Sequence, residues 1–157
     1  IVLAAVTQDG WVLQYAAEYL KADREIVLAA VTQYGTALCH TDHHLKADRE
    51  VVLAAVTQDG RALQEYAAQH LKADREIVLA AVTQYGTALC HTDHHLKADR
   101  EVVLAAVTQD AQAVEHVAEY LKADRDVILA ASSTPNATEV PLYEYISMDD
   151  LWGDEEI

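Results

Sequence analysis

Residues 24–48 read REIVLAAVTQYGTALCHTDHHLKAD, and the longer segment 24–59 recurs letter for letter at 75–110. Related units open at Arg24, Arg49, Arg75, Arg100 and Arg125, spaced 25, 26, 25 and 25 residues, and a headless copy fills positions 1–23. A period of this length marks stacked supersecondary units, none of which can bury its apolar face alone. The predicted fold is all-α: a right-handed α-solenoid of about five short helical hairpins, built on 25-residue repeats and followed by an extended acidic C-terminal tail. The expected boundary places the solenoid at residues 1–131 and the tail at 132–157.

Within a unit, an Asp precedes the Arg-Glu pair (Asp23, Asp48, Asp74, Asp99, Asp124) and is suited to cap the free amides of a first turn. The apolar residues of Ile26-Val27-Leu28-Ala29-Ala30-Val31 surround a helix almost completely, so this leading helix is expected between neighbours. A buried strand is the other reading of such a run; the cap and the two alanines favour helix. Gly10, Gly35, Gly60 and Gly86 are expected to end the leading helix in the left-handed conformation, and Ala111 in repeat five then costs about 1 kcal/mol. A second helix over 36–46 places Ala37, Leu38, Thr41 and Leu45 on the core side, with Cys39, His43 and Lys46 opposite. His40 and His44 fall on its flank.

Repeat three carries one residue too many, most simply Glu65 in ALQEYAAQHL. It must be absorbed in a loop or a π-bulge, and a local kink is expected there. The pattern DRE-[IV]-VLAAV-x-Q-x-G-x-A-L-Q-x-A-x-x-x-L-K-x-D, held through five consecutive units over 1–131, resembles the tandem helical repeat catalogued as domain of unknown function 4116. The resemblance implies the repeat fold and supplies no catalytic residue. Repeats two and four depart from it at CHTDHH, where the family pattern has a Gln-Tyr-Ala-type segment.

The formal net charge is −15, and no Lys or Arg follows Arg125. Nucleic acid and anionic membrane surfaces are therefore poor partners. Uninterrupted apolar runs such as IVLAAV fall far short of the roughly 20 residues that a spanning helix needs, so no transmembrane segment is expected. Ile1 opens inside a repeat without its Asp-Arg-Glu, as a processed or partial chain would, and the compartment stays open. Cys39 and Cys90 sit two layers apart, about 20 Å at 8–10 Å per layer, too far for a disulfide.

Six of the eight histidines belong to two identical clusters: His40, His43 and His44, then His91, His94 and His95. On a continuous helix Cys39 with His43, and His40 with His44, are i,i+4 pairs, as are Cys90 with His94 and His91 with His95, a spacing at which two side chains can share a metal. Asp42 is a possible orienting group or third ligand. One helix face supplies only two of the four ligands that a closed zinc site needs, so the metal reading is the alternative. The preferred reading is a solvated, duplicated flank in which His replaces Tyr. A Cys–His nucleophile lacks an orienting group and an oxyanion site, so no enzyme activity and no cofactor are expected.

Beyond Ala131 the sequence Ser132-Ser133-Thr134-Pro135-Asn136 breaks the helix, and Ser147-Met148-Asp149-Asp150 is a weak capping signal. This acidic stretch is either a disordered terminus or a docking peptide anchored by Tyr143, Tyr145, Leu151 and Trp152. The functional expectation is a non-catalytic protein–protein interaction scaffold, a peripheral or bridging subunit of a larger assembly. Its partners are other protein subunits, among them ones with a basic docking surface. The alternative is a metal- or cofactor-binding repeat protein.

Overall fold

The computed structural model describes residues 1–137. Leading α-helices run over Val2–Gln8, Arg24–Gln33, Arg49–Gln58, Arg75–Val82, Arg100–Gln109 and Arg125–Ser132. From the second onward, each is capped by the predicted Asp: Asp48 Oδ1, for example, accepts from the N–H groups of Glu50 and Val51 at 3.0 and 3.1 Å. The core lies along the stack. Val27, Ala30 and Val31 of one leading helix are fully buried, as are Val52, Ala55 and Val56 of the next.

The second half of the unit is not one helix. Gly35–His40 is a 3-10 helix, Thr41 and Asp42 are extended (ψ 160° and 153°), and a single α-turn follows over His43–Lys46. At the break the Asp42 N–H donates to Lys21 O of the neighbouring repeat at 3.1 Å instead of to its own helix, and the first unit breaks at the equivalent Ala16 and Ala17 without such a bond. The same rung recurs as Ala68 to Lys46, Asp93 to Lys72 and Ala118 to Lys97. The Thr41 hydroxyl adds to the break by donating to Leu38 O at 2.9 Å. Even so, the expected core side holds: Ala37, Leu38, Thr41 and Leu45 are all buried.

The glycines correct the sequence reading. Among the described residues none has a positive φ. The leading helix ends at an extended residue, Tyr34 at φ −138°, and Gly35 then opens the 3-10 helix. Glycine is needed there for room: a Cβ on Gly35 would stand 2.2 Å from Ala55 O in the next leading helix, and one on Gly86 2.3 Å from Ala106 O. The Gly60 and Gly86 N–H groups donate to the Gln84 and Gln109 side chains of the following repeat at 3.1 and 2.6 Å. In repeat five Ala111 begins a 3-10 helix too, so no left-handed penalty arises. Its N–H donates to Asn136.

A third set of rungs is ionic. Arg24 Nε meets Asp48 at 3.0 Å, Arg49 meets Asp74 at 2.7 Å, Arg75 meets Asp99 at 2.8 Å, and Arg100 meets Asp124 at 3.3 Å. Each guanidinium also reaches the acid two residues further on: Glu50, Glu76, Glu101 and Asp126. One arginine therefore faces two carboxylates at each of these four junctions.

The extra residue of repeat three is absorbed locally. Ala62–Glu65 is α-helical where the other repeats are 3-10, and the Ala67 N–H reaches five residues back to Ala62 O at 3.2 Å, a π-type bond. By Ala68 the backbone rung to Lys46 is restored at 2.9 Å.

Candidate binding surface

The constant apolar residues face inward, while the constant Arg, Glu, Thr and Gln side chains of the leading helices and the variable columns face out. Beside the buried Leu45, Leu71, Leu96 and Leu121, two adjoining columns change from repeat to repeat. One holds Glu18, His43, Gln69, His94 and Glu119; the other holds Tyr19, His44, His70, His95 and Tyr120; all ten side chains are exposed. Tyr19 and Tyr120 are 75% and 68% exposed, so these rings lie on the surface rather than in the core.

The predicted metal pairs do not assemble. The extended Thr41 and Asp42 interrupt the helix that would put Cys39 over His43 and His40 over His44, and Thr92 with Asp93 does the same between Cys90, His91 and His94, His95. Among the described residues, no three His, Cys, Asp or Glu side chains converge as a metal set. What comes together instead is Asp42 with His44, at 2.6 Å from Oδ1 to Nδ1, and Asp93 with His95 at 2.7 Å. Asp42 also accepts from the His44 backbone N–H at 3.1 Å, and these bonds hold its carboxyl below the usual range. Its role is to cap a turn.

Cys39 and Cys90 are free and half-buried, and burial pushes both thiols up in pKa, opposite to an activated nucleophile. Lys46 and Lys97 each donate to the carbonyl of that cysteine at 2.9 Å, which closes the end of the 3-10 helix. The His40 pKa is lowered by burial first and then by Lys21 and Lys46; that of His116 is lowered by burial and then by Lys97. The His91 pKa is lowered as well, by burial first and then by Lys72, His116 and Lys97.

Sequence reasoning missed one surface feature. The Trp11 ring lies 6.1 Å from the Tyr34 ring at 52°, and 5.8 Å from the His40 ring at 61°. At the corresponding place further along, Arg61 lies over the Tyr85 ring at 5.9 Å. The signal was available as a lone Trp in a column otherwise filled by Thr36, Arg61, Thr87 and Gln112. An open depression of about 410 Å³ is lined by Thr32, Glu50, Leu53, Ala54, Thr57 and Gln58; no histidine borders it. Tyr143, Tyr145, Leu151 and Trp152 lie outside the described residues.

The fold and this surface define an all-α tandem-repeat protein. The chain belongs to the family described as domain of unknown function (DUF4116), whose model matches residues 1–46, 23–72, 48–97 and 99–152. The last stretch continues past Ala131, into the part of the sequence expected to be a tail. No curated protein and no solved structure matches the chain. No helix among the described residues is long and apolar enough to cross a membrane.

Proposed function

We propose that this chain is a non-catalytic protein-binding scaffold, a peripheral or bridging subunit that presents one regular surface to other proteins. The observation that carries this reading is the division between a repeated interior and two variable exposed columns. Identical rungs at Asp42, Ala68, Asp93 and Ala118 hold those columns at a fixed spacing, while the side chains on them alternate between acid, amide, His and Tyr. Such arrays act by surface complementarity distributed over many units. The excess of acid favours partners with a basic docking face. The segment with Tyr143, Tyr145, Leu151 and Trp152 is a second contact element in this reading.

Native purification with mass measurement of the intact assembly tests it. The expected result is a stoichiometric protein partner that is released when Tyr19, His44, His70 and Tyr120 are changed to Ser while the helical circular-dichroism signal stays. A chain that runs alone at all concentrations and exchanges its amide hydrogens like an isolated array would overturn the proposal. For the metal alternative, zinc uptake should be equal in the native chain and in a Cys39, His43, Cys90, His94 quadruple alanine variant. Tight uptake near two equivalents that the variant loses would favour that alternative.

A further inference from the structure

The same local frame occurs twice, once with a cation in place and once without. At the second site Asp59 Oδ1 accepts from the Arg61 N–H at 3.0 Å, which aims the carboxylate at the Arg61 side chain. Both its oxygens then hold that guanidinium, Oδ1 from Nε at 3.1 Å and Oδ2 from the terminal nitrogen at 2.8 Å, and the group lies over Tyr85. At the first site Asp9 Oδ1 accepts from the Trp11 N–H at the same 3.0 Å, so the carboxylate is aimed in the same way. Tyr34 stands where Tyr85 stands in the duplicate. The arginine, however, is replaced by Trp11, and among the described residues no Lys, Arg or His lies within ion-pair distance of Asp9.

The site thus keeps the acceptor and the aromatic platform and gains a second ring. Trp11 and Tyr34 are 39% and 43% exposed, tilted at 52° with centroids 6.1 Å apart, and His40 stands against the Trp11 ring from the side. Aromatic faces attract cations, Trp most strongly, and guanidinium adds planar stacking and two-point bonding to a carboxylate that an ammonium cannot match. We propose that Asp9, Trp11 and Tyr34 form a receptor for an arginine side chain supplied by a basic protein partner, in the role that Arg61 plays internally at Asp59 and Tyr85. The inference rests on the scaffold reading and names one anchor point on it.

Nuclear magnetic resonance titration with Nα-acetyl-arginine methylamide, and with the lysine analogue, tests the site on the full chain. Saturable shifts of the Trp11 indole and Tyr34 ring signals are expected, with arginine bound at least about 2-fold more tightly than lysine, because both cations meet the ring faces but only guanidinium adds planar stacking and two-point bonding to the carboxylate. Trp11→Arg places the chain's own guanidinium in the site and should abolish the shifts of Tyr34. Asp9→Asn keeps a capping side chain and should weaken binding by a similar factor. An absent or non-saturable response, an equal response to lysine, or undiminished binding in either variant would overturn the inference. Partner capture distinguishes the two levels: capture unaffected by Trp11→Arg sinks this site alone, whereas a native chain with no partner sinks the scaffold.

Discussion

At the residue scale, the glycine column shows how an interface can dictate a residue that local geometry does not. Gly35 has an ordinary negative φ, yet a Cβ there meets Ala55 O at 2.2 Å, and backbone cannot move aside as a flexible side chain would. Gly35→Ala should therefore lower stability by about 1–3 kcal/mol, the usual range for overpacking. Ala111→Gly, at the position that already tolerates a Cβ, should change stability by no more than about 1 kcal/mol. Urea unfolding of both variants checks the contrast; equal effects would mean that the close approach is not limiting.

The histidines set a pH dependence with a definite sign. Burial and neighbouring lysines lower the pKa of His40, His91 and His116 in the folded state, so the unfolded chain binds protons more readily near pH 6.5. Their contribution is complete above that pH and is lost as pH falls through the lower folded values. The Asp74, Asp99 and Asp124 carboxyls are held below the usual range, first of all by bonds from Arg49, Arg75 and Arg100. Their contribution is present above about pH 3.9 and disappears below it. The thermal midpoint should thus fall in two separated steps on acidification. His40→Tyr with His91→Tyr and His116→Tyr, which places at all three positions the residue of Tyr15, should remove the upper step and leave the lower one.

At the element scale, much was legible and one element was not. The leading helices follow from apolar residues bounded by a capping Asp, signals contained in the unit itself, and all appear where the pattern puts them. The helical stripe of Ala37, Leu38, Thr41 and Leu45 predicts one continuous second helix. Those residues are indeed buried, but the backbone beneath them changes type at Thr41. The Asp42 N–H that the break frees bonds to Lys21 O, a partner that sequence periodicity does not reveal, and the first unit breaks at Ala16 and Ala17 even without such a bond. The metal hypothesis depended on that continuous helix and loses its geometry with it. The repeat pattern puts the extra residue at Glu65, and the π-type bond from Ala67 to Ala62 lies next to it. Deleting Glu65 should let residues 61–66 adopt the 3-10 form of the other repeats while the rung from Ala68 to Lys46 remains. Tyr66, whose pKa is pushed up to about 12 chiefly by its bond to Glu65, should then titrate nearer its ordinary value. A spectrophotometric titration reads this directly, and a deletion variant that fails to fold would show that the bulge is required.

At the scale of the whole molecule, the contacts that hold the stack connect neighbours. Backbone rungs, glutamine–glycine rungs and Arg–acid rungs each join one repeat to the next, and none reaches two layers away. Stability in such an array is close to a sum of unit terms and nearest-neighbour terms, so a weakened junction should matter according to its place. Gly10→Ala and Gly60→Ala present the same kind of clash, with Ala30 O at 2.4 Å and Ala81 O at 2.8 Å. In this chain the first weakens the junction of an end unit, and the second weakens a junction with two or more units on either side. Hydrogen exchange in the Gly10→Ala variant should accelerate over residues 1–23 and leave the rest protected. In Gly60→Ala the faster exchange should spread to both sides of the junction, and denaturant unfolding should broaden into two transitions. The exposed Arg–acid rungs are screened by solvent and cannot hold the halves together once the buried contact is lost. A single sharp transition, with uniform loss of protection in both variants, would show instead that the array behaves as one cooperative body.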